Sequence, residues 1–263
     1  MPFGKVNQGL ELVNTMGFLV VPVRYESRYN KILMKIISDV RSPNFSDLNI
    51  PVEFLVLHYT AATLERTLEL FLSTQTEVSS HLVIDRDGVV YELVECLDGV
   101  AKRAWHAGKS LLDLSKGRGG RVIHGLNDCS IGIELVNLNG NVFSYSEAQY
   151  ASLFAVIESL KGLYPALQQP EAIVGHEHIS GFRGKSDPGR CFEWQRLFAV
   201  CYPNQGAPPR ANLCSEPLAV RIRALMASFG VFQGGDGEVF VPVGVPKDFF
   251  GLLSALLEAS LFR

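Results

Sequence analysis

The spacing of apolar positions changes several times along this chain, and each change marks an element. EFLVLHY (53–59) is a continuous apolar run of strand length, the pattern of a central strand covered on both faces. After it, Thr63 precedes Leu64, Leu68, Phe71 and Leu72, which fall on one face of a helix. SHLVID and VVYELV flank Arg86-Asp87-Gly88 and predict a β-hairpin, since Asp-Gly favours the tight turns that join antiparallel strands. SIGIELV (130–136) reads as another strand. Ser146-Glu147-Ala148-Gln149 is a capping-box pattern that opens a helix running to about Tyr164, with Leu153, Phe154, Ile157 and Leu160 inward. AIVGH (172–176) is a further short strand.

Between these elements the pattern weakens. LMKIISDV (33–40) reads as a short helix and RSPNFSDLNIP (41–51) as a surface loop, so residues 1–50 are treated as an N-terminal extension. Residues 106–128 carry glycines and basic residues without periodicity, a long loop of the kind that is often functional. From 176 to 189 the chain is polar and glycine-rich, as at a sheet's rim. The main domain then spans 51–202, and PNQGAPPRANLCSEP supplies a linker at 203–216. Beyond it, 217–263 holds two amphipathic patterns, 218–229 and 248–261, joined by a glycine-rich stretch. Their apolar faces, Leu218, Ile222, Leu225 and Phe229 with Phe249, Leu253 and Leu257, need a cover. A segment this short cannot bury them alone, so they are expected to pack on each other and on the main domain.

Composition adds exclusions. The chain has 263 residues, 47% hydrophobic and 19% charged, ordinary for a globular enzyme. A net charge of -3 and a pI near 6.1 give no electrostatic reason to expect nucleic acid. No apolar run reaches the roughly 18–20 residues needed to span a bilayer, so no transmembrane segment is expected. MGFLVVPV (16–23) is too short and lacks a basic lead-in, so there is no clear signal peptide; bacterial cell envelope (periplasm) and cytoplasm both stay open. Five cysteines without CxxC spacing read as buried thiols, with Cys201–Cys214 or Cys191–Cys201 as the alternative disulfides.

The chemistry-bearing residues are few. Of six histidines, His58 ends the first buried strand, and His176 and His178 follow the strand at 172–176, where either can serve once a loop begins. Asp187 precedes Pro188-Gly189, a turn that fixes its carboxylate. His58, His176 and Asp187 make a two-imidazole, one-carboxylate set, the three protein ligands a catalytic zinc uses when it keeps a fourth position open. Taken singly, each is more often a structural residue.

The motifs LVLHYT, SSHLVIDRDGVVYELV, RAWHAGKS, NDCSIGIELVN, YSEAQY and VGHEHISGFRGKSDPGRCFEW, in this order and spacing, resemble the zinc-dependent N-acetylmuramoyl-L-alanine amidases of the amidase-2 type. These share a fold with T7 lysozyme and the peptidoglycan recognition proteins. The resemblance spans about 53–198, and within the family it is closest to the branch that acts on anhydromuropeptides and released cell-wall fragments. It implies an α/β fold: a central mixed β-sheet flanked by helices, here with a small helical C-terminal appendage. It implies Zn2+ as cofactor, held by His58, His176 and Asp187, with Glu134 as general base and Lys185 stabilising the oxyanion. Phage-type members carry cysteine where Asp187 stands. Tyr59 stands where some members have a substrate-contacting asparagine. Tyr59, Trp105, His106, Ala107, Gly108, Asn127 and Asp128 are the substrate-binding residues so implied. His178 falls outside the motif and reads as a rim residue, and His81 as a hydrogen-bond partner inside the sheet.

The expected reaction is hydrolysis of the amide between N-acetylmuramic acid, or its 1,6-anhydro form, and L-alanine of peptidoglycan or muropeptides. The alternative is a non-catalytic muropeptide-binding protein of the same fold; such members commonly lose a zinc ligand, whereas this chain keeps all three. A metal-dependent peptidase acting within the stem peptide is a third reading. The tail resembles, in helix size and in the turn QGGDGE (233–238), a small three-helix peptidoglycan-binding module; a helical cover for the core is the competing reading. KGRGGR (116–121) reads either as a contact for a charged group or as a solvated loop.

Overall fold

Every residue of the strand Phe54–Tyr59 is buried, and parallel neighbours occupy both of its edges. The computed structural model describes residues 35–115, 120–235 and 237–261. Its strands are β1 (Ile36–Ile37), β2 (Phe45–Ile50), β3 (Phe54–Tyr59), β4 (Leu82–Ile84), β5 (Val90–Glu92) and β6 (Ala101–Ala104), then β7 (Leu111–Asp113), β8 (Val122–His124), β9 (Ser130–Leu135), β10 (Ile173–Gly175), β11 (Phe232–Gln233) and β12 (Val239–Phe240). Its helices are α1 (Leu64–Phe71), α2 (Glu147–Leu163), α3 (His176–Ser180), α4 (Trp194–Cys201), α5 (Glu216–Ser228) and α6 (Phe249–Ser260).

Six strands form one mixed sheet in the order β1-β5-β4-β9-β3-β10, with β4 and β5 as its antiparallel pair. This is the α/β arrangement expected, a central mixed sheet with helices against it. Strands covered on both faces lose the apolar-polar alternation, which is why β3 and β9 read as continuous runs. Their register places His58 beside Glu134 at the carboxyl end of the sheet. Helix α2 begins at the capping box of Ser146 and Gln149 and buries Leu153, Phe154, Ile157 and Leu160 against the sheet's own Leu55, Leu57, Ile131 and Ile133. The Gln149 amide also donates to the carbonyls of Ile84 and Val136, tying the helix start to two strands. Thr63 caps α1 as its position predicts.

Four local expectations need correction. Of the helix expected over 33–40, residues 33 and 34 lie outside the described residues, and Ile36–Ile37 is an edge strand parallel to β5. Two buried β-branched residues against an open sheet edge outweigh a weak helical period. The loop expected over 41–51 contains β2, which pairs with β6 in a separate ribbon, bulged between Ser46 and Asn49. Strand β2 is half-exposed or exposed throughout, so it carries no apolar signature. The loop at 106–128 is partly built, with β7 and β8 paired and a 3-10 turn at Leu126–Asp128. The rim loop at 176–189 begins as α3, capped by an unusual donor-acceptor pair, the Gly175 N–H on His178 Nδ1. The segment 16–23 and most of 116–121 lie outside the described residues.

The chain after 203 is laid down on the domain rather than hanging from it. Arg210 donates to the Ile173 carbonyl, and the Leu213 N–H donates to Glu177 Oε2. Among the described residues, the tail is two helices and one two-stranded ribbon, β11-β12, not three helices. Ile222, Met226, Phe250, Leu253 and Leu257 form one apolar cluster with Leu138, Val142 and Phe143 of the main domain. Leu225 and Phe229, expected on the inward face, stay largely exposed; Ala219, Met226 and Phe250 take that role. All five cysteines are free thiols, and no helix among the described residues is long and apolar enough to cross a membrane.

Candidate active site

Three elements deliver the candidate ligands to one point. His58 is the next-to-last residue of β3, His176 opens α3 directly after β10, and Asp187 lies in the turn that follows. Because β10 and β3 are parallel neighbours, their carboxyl ends bring the two imidazoles to the same rim. His58 Nδ1 lies 3.1 Å from His176 Nδ1 and 2.9 Å from Asp187 Oδ2, and His176 Nδ1 lies 3.0 Å from the same oxygen. All three side chains are buried. Burial opposes ionisation of Asp187, but His176, first through its charge and then through its hydrogen bond, outweighs it and holds the carboxyl well below the usual carboxylate range. His178 is elsewhere: its Nδ1 caps α3, its Nε2 meets the Ala211 carbonyl and its ring packs on Trp194.

The tautomer of His58 follows from its neighbours. His106 Nε2 faces the Ser130 carbonyl, which can only accept, so that nitrogen carries the proton. His106 Nδ1 is then the acceptor for His58 Nε2 at 3.1 Å. His58 therefore keeps a bare Nδ1, turned toward Asp187 Oδ2. Both histidines are held neutral: burial, then the neighbouring imidazole charge, push His58 to about 4 and His106 well below its ordinary value. Two acceptors at 2.9 Å with no proton between them repel unless a cation joins them. Together with His176 Nδ1 they form a donor set that can hold a metal ion.

Packing supports the relay. A Cβ at Gly132 on β9 would sit 2.4 Å from the His106 ring, so the ring reaches His58 only because this strand position has no side chain. Behind it, His81 accepts from the Gly132 N–H and donates to the Lys102 carbonyl, a hydrogen-bond partner inside the sheet as expected. Partners that orient a metal ligand typically contribute 10–100-fold to metal affinity. His106→Ala should accordingly weaken zinc binding about 10- to 100-fold in a chelator competition titration. Wild-type affinity in that variant would show that His58 is oriented by packing alone.

Glu134 and Lys185 face the same cavity, of about 340 Å³, together with the three candidate ligands. Glu134 is buried, and its Oε2 has no partner among the described residues. Burial, then the Asp187 charge, raise its pKa to about 8 against the pull of Lys185. The Lys185 ammonium lies 2.7 Å from Glu258 Oε1.

The substrate residues expected from the motifs divide. Tyr59, Trp105 and His106 line the cavity. Ala107, Gly108, Asn127 and Asp128 do not: Asn127 Oδ1 accepts from the N–H groups of His106 and Ala107 and so shapes the turn that holds His106. Asp128 pairs with Arg103 on the surface, and Gly108 lies against the Arg183 guanidinium. The sequence reading missed Gly251, Ser254, Ala255 and Glu258 of α6, which wall one side of the cavity. Their spacing, i, i+3, i+4 and i+7, was the available signal: one helix face made of small and polar residues beside an apolar one.

The chain is similar to several known proteins. The chain is 41% identical over 123 residues to the 1,6-anhydro-N-acetylmuramyl-L-alanine amidase AmpD of Enterobacter cloacae, a stretch covering 47% of this chain and 57% of that protein. The Escherichia coli K12 protein of the same name is 40% identical over 120 residues, covering 46% and 56%. The chain thus spans little more than half the length of the curated relatives it matches. Among solved structures, AmpDh3 of Pseudomonas aeruginosa in complex with anhydromuramic pentapeptide is similar at 26% identity and a TM-score of 0.48, covering 82% of this chain and 85% of that one. Residues 48–190, more than half of the chain and the part that carries His58, Glu134, His176, Lys185 and Asp187, match the family model described as N-acetylmuramoyl-L-alanine amidase, and the chain belongs to that family.

Proposed function

We propose that this protein is a zinc-dependent hydrolase that cleaves the amide between N-acetylmuramic acid, in particular its 1,6-anhydro form, and L-alanine of muropeptides. The observation that carries the reading is the convergence of His58, His176 and Asp187 in a cavity that also receives Glu134 and Lys185. The choice of substrate is supported by the name its curated relatives share, 1,6-anhydro-N-acetylmuramyl-L-alanine amidase.

An amide is a poor electrophile and a poor leaving group, so both ends of the reaction need help. His58, His176 and Asp187 would hold the zinc, which when bound would supply Lewis acidity to the carbonyl and to the attacking water. Glu134 takes the proton of the attacking water and later delivers it to the departing amine. Lys185 places positive charge where the oxyanion develops, an effect worth about 3 kcal/mol for one such donor. His106 holds the His58 ring in the tautomer and direction that keep Nδ1 free.

Mass spectrometry of digests by the zinc-loaded protein tests this. From an anhydromuropeptide we expect the free stem peptide beginning with L-alanine and the unsubstituted anhydro-sugar. Cleavage within the stem peptide, or intact substrate with zinc bound, would overturn the assignment.

A further inference from the structure

The family model ends at residue 190, yet one wall of the cavity comes from α6, almost sixty residues later. This helix presents two working faces. Phe250, Leu253 and Leu257 enter the apolar cluster shared with the main domain, while Gly251, Ser254, Ala255 and Glu258 face the cavity. At its start, Arg66 on α1 donates twice to Asp248, and Lys247 pairs with Glu69. Midway, Ser254 Oγ lies 3.3 Å from the hydroxyl of Tyr59, the residue after His58. Near its end the helix backbone meets the Gly184 turn. Gly184 has φ +84, and a Cβ there would come within 2.4 Å of the Glu258 carbonyl oxygen. One residue later, Lys185 Nζ meets Glu258 Oε1 at 2.7 Å. The helix thus touches the neighbours of two candidate ligands, Tyr59 beside His58 and the 184–185 turn before Asp187.

We propose that Glu258 is a positioning residue for the amidase reaction: from the C-terminal helix, it holds the Lys185 ammonium at the cavity wall. The inference rests on the amidase reading given above. Lysine is a flexible four-carbon stem with a point charge, and a loosely held donor loses most of its value at a developing oxyanion. Two restraints, the Gly184 contact with the α6 backbone and the Glu258 carboxylate, together fix where this stem starts and where its charge ends. The pair is partly open to water, with side-chain exposures of 27% and 21%, so the carboxylate damps the ammonium field without cancelling it. The tail is then part of the catalytic cavity rather than a module acting at a distance.

The test uses the full zinc-loaded chain. Glu258→Ala should lower kcat on a soluble anhydromuropeptide about 10- to 100-fold, the range that small misplacement of a reacting group costs. KM should stay within about twofold, and zinc content and Tm should be close to wild type. Glu258→Gln keeps an oxygen that accepts from the ammonium and should recover most of the rate. A kcat within twofold of wild type in Glu258→Ala overturns the proposal, as does an equal fall in both variants, which marks lost packing. A rise in kcat also overturns it and makes Glu258 a brake. Acylation of Lys185, followed by peptide mapping, is read independently of turnover. It should be severalfold faster in Glu258→Ala, and an unchanged rate refutes the pairing. If the unsubstituted protein cleaves nothing, the amidase reading fails, and so does the catalytic role of Glu258; faster Lys185 acylation would then establish the ion pair alone.

Discussion

Asp187→Ala and His58→Ala are each expected to strip the metal from the protein and reduce turnover at least about 10³-fold, since the Lewis acid contributes several kcal/mol to the barrier. The three donor atoms lie within 4.8 Å of one another, and removing one leaves two, too few for a tight site open to substrate. The two variants should differ in a second respect. Asp187 supplies the negative charge that balances a dication among imidazole ligands, and in the metal-free site its carboxyl is held well below the usual range, first by His176. Asp187→Asn keeps the shape and removes the charge, so it too should lose zinc, as read by elemental analysis after dialysis. His178→Ala is the control. It uncaps α3, at a cost of about 0.5–2 kcal/mol visible as a lower Tm, but it should retain zinc. Zinc lost from His178→Ala and kept in His176→Ala would sink the ligand assignment.

What could be read from the sequence was whatever rests on neighbours along the chain. β3 and β9 announced themselves as apolar runs, the β4-β5 hairpin through Asp87-Gly88, and α2 through its capping box, each a device a few residues long. The candidate trio was legible through the family's motifs: position alone put His58 at the close of β3 but left His178 open beside His176, and the turn at Asp187 is by itself a common one. The remainder depends on tertiary contacts. β2 is a strand only because β6 lies alongside it, and its exposed residues show no alternation. α3 is five residues long and is capped by a histidine, not by serine, threonine or aspartate, so no start signal marks it. The service of His106 to His58 requires the bare backbone of Gly132, on a strand whose sequence says only that it is buried. The wall made by α6 requires the tail to fold back across α1 and the Gly184 turn, and no local pattern specifies that return. Its composition held a trace all the same: Ser254 and Glu258 sit four apart on a helix otherwise rich in leucine.

Glu134→Gln is expected to cost about 10²–10⁴ in kcat while zinc content stays unchanged, because it removes a proton carrier and leaves the ligand set intact. Glutamine matches the size of the buried side chain, so a loss of turnover cannot be charged to a cavity. Glu134 lies across from His58 in the β3-β9 register, which aims its carboxyl at the same rim as the candidate ligands. Its pKa of about 8 in the metal-free cavity comes first from burial and then from Asp187. A dication beside it favours the ionised form and brings the carboxyl down toward the working range of a general base. In the zinc-loaded enzyme the limb of the pH–rate profile should therefore lie below 8, and Glu134→Gln should lack that limb. The metal-free protein gives a second reading of the same residue. A carboxyl whose folded pKa exceeds its unfolded value, 4.5, binds more protons folded than unfolded between those two values. Its stabilising contribution is full below about pH 4.5 and is lost as pH rises toward 8, where the buried group must ionise. Metal-free wild type should lose Tm between about pH 5 and 8, and metal-free Glu134→Gln should lose less over the same interval. If both apo-proteins melt in parallel, or if Glu134→Gln turns over at the wild-type rate, Glu134 is not the buried proton carrier of this site.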